Sequence, residues 1–230
     1  MSGVKRVICL ANSKKEKKTC FAGRALVESS FREWVRPVAS VEGDAISPSE
    51  QQLSDGTAPH LLDIVDIGLV KPVAIGCQTE NWLLDKGYRW SRVRRASSDE
   101  LVRYVDHPDT LWTNGHSTKK GVNDEMPIDV ADTHVYSLQL IRPNRVAIHV
   151  LPSLRVQADF EYREVHYRMW VTDRVVEEGF NRKGEGVYRL ADSLLTVSIS
   201  KPFKKDIDHK WYRYKLVAAV IGIGDNRWAG

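Results

Sequence analysis

The stretch Gln157-Ala158-Asp159-Phe160-Glu161-Tyr162 alternates polar and apolar side chains residue by residue. A period of two puts Ala158, Phe160 and Tyr162 on one side of an extended chain and Gln157, Asp159 and Glu161 on the other. That predicts a strand with one core face and one wet face. Leu195-Thr196-Val197-Ser198-Ile199 repeats the pattern. Outward from these two segments, short β-branched and aromatic runs recur between turn-forming residues. Residues 4–11, 34–40, 61–70 and 79–85 read as strands, as do 134–140, 145–151, 156–171, 194–200 and 212–223. Many short strands at close spacing predict a barrel or sandwich.

Helix signals are few. Ser98-Asp99-Glu100 ahead of Leu101, Val102 and Val105 predicts a capped helix, ended by Asp106-His107-Pro108. Residues 48–53 suit one further turn. The stretch 107–133 is mostly polar and holds Asn114-Gly115, Gly121 and Met126-Pro127, so it reads as a long connection between domains.

The 230 residues suffice for one large domain or two small ones, and 42% hydrophobic with 28% charged content is ordinary for a globular chain. No run of apolar residues is long enough for a membrane span, and the N-terminus lacks the apolar core of a secretory signal. Cys9, Cys20 and Cys77 form neither a disulfide framework nor a paired metal knuckle. Free thiols in a reducing cytoplasm are expected. The net charge of +4 is unevenly spread: residues 1–24 carry seven Lys/Arg against one Glu, and residues 41–66 carry six acids and no Lys or Arg. Residues 86–103 and 201–215 each carry six basic against two acidic side chains. Segregated charge can attract a polyanion, or it can simply solvate separate faces.

An ordered set of short motifs adds to this. Cys9-Leu10-Ala11-Asn12-Ser13, Cys20-Phe21-Ala22-Gly23, Trp34-Val35-Arg36-Pro37-Val38, Leu61-Leu62-Asp63-Ile64-Val65 and Gln78-Thr79-Glu80-Asn81-Trp82 come in the first half. Phe160-Glu161-Tyr162, Trp170-Val171-Thr172-Asp173, Leu195-Thr196-Val197-Ser198 and 214–221 follow in the second. The series resembles the bacterial dual-OB domain family over nearly the whole chain. The resemblance implies a mainly β fold: two OB-like small β-barrels in tandem with one or two short helices. The expected division is residues 1–110, a connecting loop 111–132, and residues 133–230. It further implies no catalytic residues, and a role in nucleic-acid binding within prokaryotic conflict or defence systems.

Lys14, Lys15, Lys17 and Lys18 sit where a strand-joining loop is expected, and loop lysines contact phosphates as mobile point charges. A solvated hairpin tip is the other reading. Trp34 and Arg36, and the stretch Arg89, Trp90, Arg92, Arg94 and Arg95, interleave rings with cations as single-strand binders do. Trp34 could equally be core. Trp211, Arg213 and Lys215 share one face of a strand and Tyr212 and Tyr214 the other, one face core and the other wet. Gln78, Glu80 and Asn81 offer donors and acceptors for a small pocket, or for capping a turn.

No nucleophile–base pair, phosphate loop or metal-ligand spacing assembles, so neither catalysis nor a metal or other cofactor is expected. Asp124, Glu125, Asp129 and Asp132 are a weak cation candidate in the connection. The expectation is a cytoplasmic, non-enzymatic nucleic-acid-binding module with no membrane association, an accessory of a defence or nucleic-acid-processing system. Two alternatives stay open: an adaptor for a partner effector protein, and a sensor of a small nucleotide or modified base.

Overall fold

The computed structural model describes residues 3–15 and 18–224. They divide into two compact units, 1–104 and 105–230.

The first unit is built from β1 (Gly3–Lys15), β2 (Lys18–Val27), β3 (Ser30–Val38), β4 (Asp63–Pro72), β5 (Asn81–Leu84) and β6 (Ser91–Arg95). β1 serves two partners: Gly3–Ile8 pair antiparallel with β4, and Val7–Lys15 pair antiparallel with β2. A register shift between Cys9 and Ala11 bends the strand where the partners change. β3 runs parallel to β5, and β5 antiparallel to β4. The order β1-β2-β3-β5-β4 therefore closes on itself through β4–β1 as a five-stranded barrel, with β6 added to β4. At the tight β1–β2 crossing a Cβ on Gly23 would lie 2.0 Å from the Ile8 carbonyl oxygen, so only glycine fits. Val7, Cys9, Phe21, Val35, Val65, Ile67 and Leu84 fill the interior. Trp90 lies among them, fully buried and edge-on to Phe21 at 4.9 Å.

The second unit holds β7 (Glu125–Pro127), β8 (Leu138–Ile141), β9 (Asn144–Val150), β10 (Val156–Tyr162), β11 (Val165–Val171), β12 (Gly186–Arg189), β13 (Ser193–Ile199), β14 (Phe203–Lys204) and β15 (Trp211–Gly222). β9, β10 and β11 form an antiparallel meander, β11 runs parallel to β15, and β15 pairs with β13. Closure repeats the first unit with one change. β8 pairs with β13 while β9 pairs with β10, so two strands share the part played by β1 alone. The break falls at Pro143, whose missing N–H cannot join a ladder.

The mainly β, two-barrel expectation holds; among the described residues there are three short α-helices. α1 (Ser98–Leu101) forms where a helix was expected, but its cap is Ser97, one residue before the expected start. Ser97 forms a reciprocal capping box with Glu100, and the α-helix ends at Leu101. α2 (Ile128–Ala131) and α3 (Arg174–Asn181) were not legible. α3 has β-branched valines and an internal glycine, and its buried contacts are only Val176, Gly179 and Phe180. The run 156–171 is two strands joined at Arg163 and Glu164, both at positive φ without the usual glycine or asparagine. The connecting loop expected at 111–132 is a further correction. This segment belongs to the second unit: Leu111 and Trp112 are buried, Trp112 Nε1 donates to the Tyr136 carbonyl at 3.0 Å, and β7 pairs with β15.

Asp173 holds α3 to the barrel. One carboxylate oxygen accepts from Val175 and Val176 N–H at 3.0 and 3.3 Å, and the other from Val220 N–H at 3.2 Å. Burial raises this carboxyl from 3.8 to about 6, against the pull of those three donors. Asp173→Ala removes a helix cap and strands a buried strand N–H, and is expected to cost about 2–3 kcal/mol by urea denaturation. A loss below about 0.5 kcal/mol would show that the cap carries little.

Candidate nucleic-acid interface

The alternation in β10 and β11 turns Phe160, Tyr167 and Met169 inward. It leaves Asp159, Arg168 and Trp170 half-exposed on the outer face. Arg155 covers the Trp170 ring at 3.7 Å. Trp170 stands in register with Leu216 of β15, and Tyr214 and Tyr212 continue that face at period two. Phe203 of β14 stacks on Tyr214 with centroids 3.8 Å apart and planes 14° from parallel. Tyr212 follows at 6.2 Å from Phe203, with Lys205 Nζ 4.0 Å above its ring. Lys205 also pairs with buried Glu125 at 2.7 Å. Burial, and then the Glu125 charge, push the Tyr214 hydroxyl upward. The result is one band of rings and cations running from Arg155 to the β14–β15 hairpin. That hairpin exposes Ile207 and half of Trp211. On the same two strands, β10 and β11, Arg168 and His166 both engage Asp159.

The first barrel has a smaller counterpart. Trp34 and Arg36 share the outer face of β3, and Arg24 of β2 sits directly across from Trp34 with its guanidinium 5.1 Å from the ring. Arg36 pairs with buried Glu80 at 3.0 Å. Asn81 stands in register with Arg36 and is fully buried, and Gln78 is buried in the loop before it. Trp34, Arg36, Glu80 and Asn81 are thus brought together. Lys14 and Lys15 end β1 and Lys18 opens β2, Lys14 facing Thr19 and Lys15 facing Lys18 in register. Lys17 lies outside the described residues.

Other expected contacts fall elsewhere. Trp90 is not at the surface: its large apolar ring is the centre of the first core, at 0% exposure. Arg89 is exposed. Arg92, Arg94 and Arg95 lie on β6, yet carboxylates already hold them. Arg92 and Arg95 reach buried Asp63 at 3.1 and 3.5 Å, and Arg94 reaches Glu100 at 2.8 Å. Arg94, helped by the Ser97 N–H, holds the Glu100 carboxyl down at about 2. Arg213 and Lys215 are also corrections. Their face of β15 is the inner one, and the tyrosine face is the outer. Arg213 pairs with Asp132 at 2.9 Å and donates to the Ser200 carbonyl. Lys215 is fully buried, donates to Asn114 Oδ1 at 3.1 Å, and lies 5.6 Å from the Tyr167 ring centre. Burial pushes its ammonium down to about 7, the Asp124 charge opposing. Of that trio only Trp211 remains exposed.

The cation candidate does not gather: the Asp124 carboxylate accepts from the Thr118 N–H and hydroxyl, and Asp132 serves Arg213. Arg155, Trp170, Phe203 and Lys205 were missed as site residues. Trp170 carried a signal, since it alternates with Arg168 at the end of a predicted strand. Phe203 and Arg155 carried none, because their role comes from strand neighbours distant in sequence.

No curated protein matches the chain. Residues 5–220 match the family described as the dual OB-containing domain, in agreement with two successive barrels of the same strand order. The chain belongs to the dual OB-containing domain family.

Proposed function

We propose that the chain is a non-enzymatic module that binds single-stranded nucleic acid across the outer face of its second barrel, as a cytoplasmic accessory to a bacterial defence or nucleic-acid-processing system. The observation that carries the reading is the band Arg155–Trp170–Leu216–Tyr214–Phe203–Tyr212–Lys205. Rings stack bases without regard to sequence, and adjoining cations hold phosphates. OB barrels bind oligonucleotides on this face and its neighbouring loops. Because the band has few cations and Lys205 is already paired with Glu125, stacking supplies much of the affinity, and the salt dependence is shallower than for a lysine-lined groove.

Fluorescence anisotropy with labelled single strands and duplexes tests this. Trp170→Ala and Tyr214→Ala are each expected to weaken single-strand binding about 5- to 100-fold. Absence of binding at low salt, or equal affinity for duplex, would refute the proposal.

A further inference from the structure

The geometry points to a second, closed subsite on the outer face of the first barrel, in which Asn81 reads the edge of one unpaired nucleobase beside Trp34 and Arg36. The inference rests on the nucleic-acid reading and assigns a part of it to particular atoms.

Asn81 opens β5 in register with Arg36 of β3, so both side chains leave the same face of the sheet. Leu84 of the same strand points the other way, into the core. Asn81 is 0% exposed, yet neither its Nδ2 nor its Oδ1 has a hydrogen-bond partner. A buried amide with both ends unpaired is costly, and a leucine of similar size would avoid the cost. A state in which the amide is paired accounts for it. Trp34 Nε1, on the same face, is likewise buried without an acceptor. This one face thus presents a side-by-side donor and acceptor, a further donor, and an indole ring.

Loop residues lie close to Asn81. Gly43 has φ +74°, and its empty Cβ position lies 2.6 Å from Ile75 Cδ1 and 3.6 Å from Asn81 Nδ2. Gly43 tips the loop after β3, tied by its N–H to the Ser40 carbonyl at 3.1 Å. Ile75 tips the loop before β5, where Gln78 N–H donates to its carbonyl at 3.0 Å. Ile75 and Gly43 both belong to loops, so moving them aside from the amide disturbs no barrel strand. An adjacent donor and acceptor match the edges that adenine or cytosine expose when unpaired, and a base held there can lie against the neighbouring ring. In a duplex the pairing edges are already occupied, so the subsite favours single strands.

The test uses the full chain and homopolymer RNAs and DNAs of about 12 nucleotides. Asn81→Leu is expected to fold with unchanged or higher thermal stability. It should lose about 5- to 100-fold in affinity for the preferred homopolymer and level the preference among homopolymers. Ile75→Ala is expected to tighten binding several-fold in the natural chain and to have no effect with Asn81→Leu. The Asn81 side-chain amide resonances should shift on adding the preferred oligonucleotide, which serves even if Asn81→Leu folds poorly. Binding with unshifted Asn81 resonances, or with affinity and preference intact in Asn81→Leu, overturns the subsite and leaves the second-barrel surface standing. No binding of any oligonucleotide overturns both readings.

Discussion

Raising the pH from 7 to 10 is expected to stabilise the second barrel relative to its Lys215→Met variant by roughly 3–5 kcal/mol. Lys215 is fully buried, and burial lowers its ammonium from 10.5 to about 7. Between those values the unfolded chain holds a proton that the folded chain has released, so stability rises with pH. Below pH 7 the full cost of the buried charge is present; above 10.5 it has gone. The groups facing the amine are few. Asn114 accepts its hydrogen bond, the Tyr167 ring packs against it, and Asp124 favours the charged form. Burial, and then the Lys215 charge, push the His134 imidazole down.

Methionine keeps most of the volume of the stem and carries no charge to desolvate. Lys215→Met should be the more stable protein at pH 6 and should lose that advantage towards pH 10, where the neutral amine still bonds Asn114. Urea denaturation of both proteins at pH 6, 7, 8, 9 and 10 measures the difference. A difference that stays flat across the range would mean that the amine is not desolvated in the folded state.

Trp90→Ala is expected to cost the first barrel about 3–5 kcal/mol, the usual range for emptying a large aromatic site in a core. Trp90 is fully enclosed, meets Phe21 edge-on at 4.9 Å, and shares its cluster with Val7, Val35 and Ile67. Those neighbours lie on separate barrel strands and cannot collapse together into the gap. Trp34→Ala, on the outer face, should cost much less in stability and more in oligonucleotide affinity. Circular dichroism in denaturant gives the first quantity and anisotropy the second. Equal stability losses for the two tryptophans would contradict their placement.

These two residues show where reading the sequence reaches its limit. Trp90 and Trp34 sit in similar strings of aromatics and arginines, and nothing local separates a core ring from a surface one. Arginine beside a ring does not prove exposure either, since Asp63 and Glu100 come from other segments to hold Arg92, Arg94 and Arg95. The polar cluster of Glu80 and Asn81 was legible as residue types suited to recognition, and Arg36 was legible as a cation next to Trp34. Their juxtaposition was not, because it depends on the parallel pairing of β3 with β5, which a local pattern cannot reveal.

The alternation in Gln157-Ala158-Asp159-Phe160-Glu161-Tyr162 by itself determined which residues of β10 share a side, and the same rule separates the two faces of β15 over residues 212–216. In β13 the expected wet face is a correction, since Thr196 and Ser198 are buried like their neighbours. Capping chemistry at Ser97 and Glu100 likewise came from residues close in the chain. Tertiary structure alone decided which side of β15 is covered. The polar segment 111–132 folds back against the second barrel and supplies Asn114, Asp124 and Asp132 to Lys215 and Arg213. That turns their face inward and leaves Tyr212 and Tyr214 outside. A period of two separates two faces of a strand, but only the rest of the chain determines which face meets water.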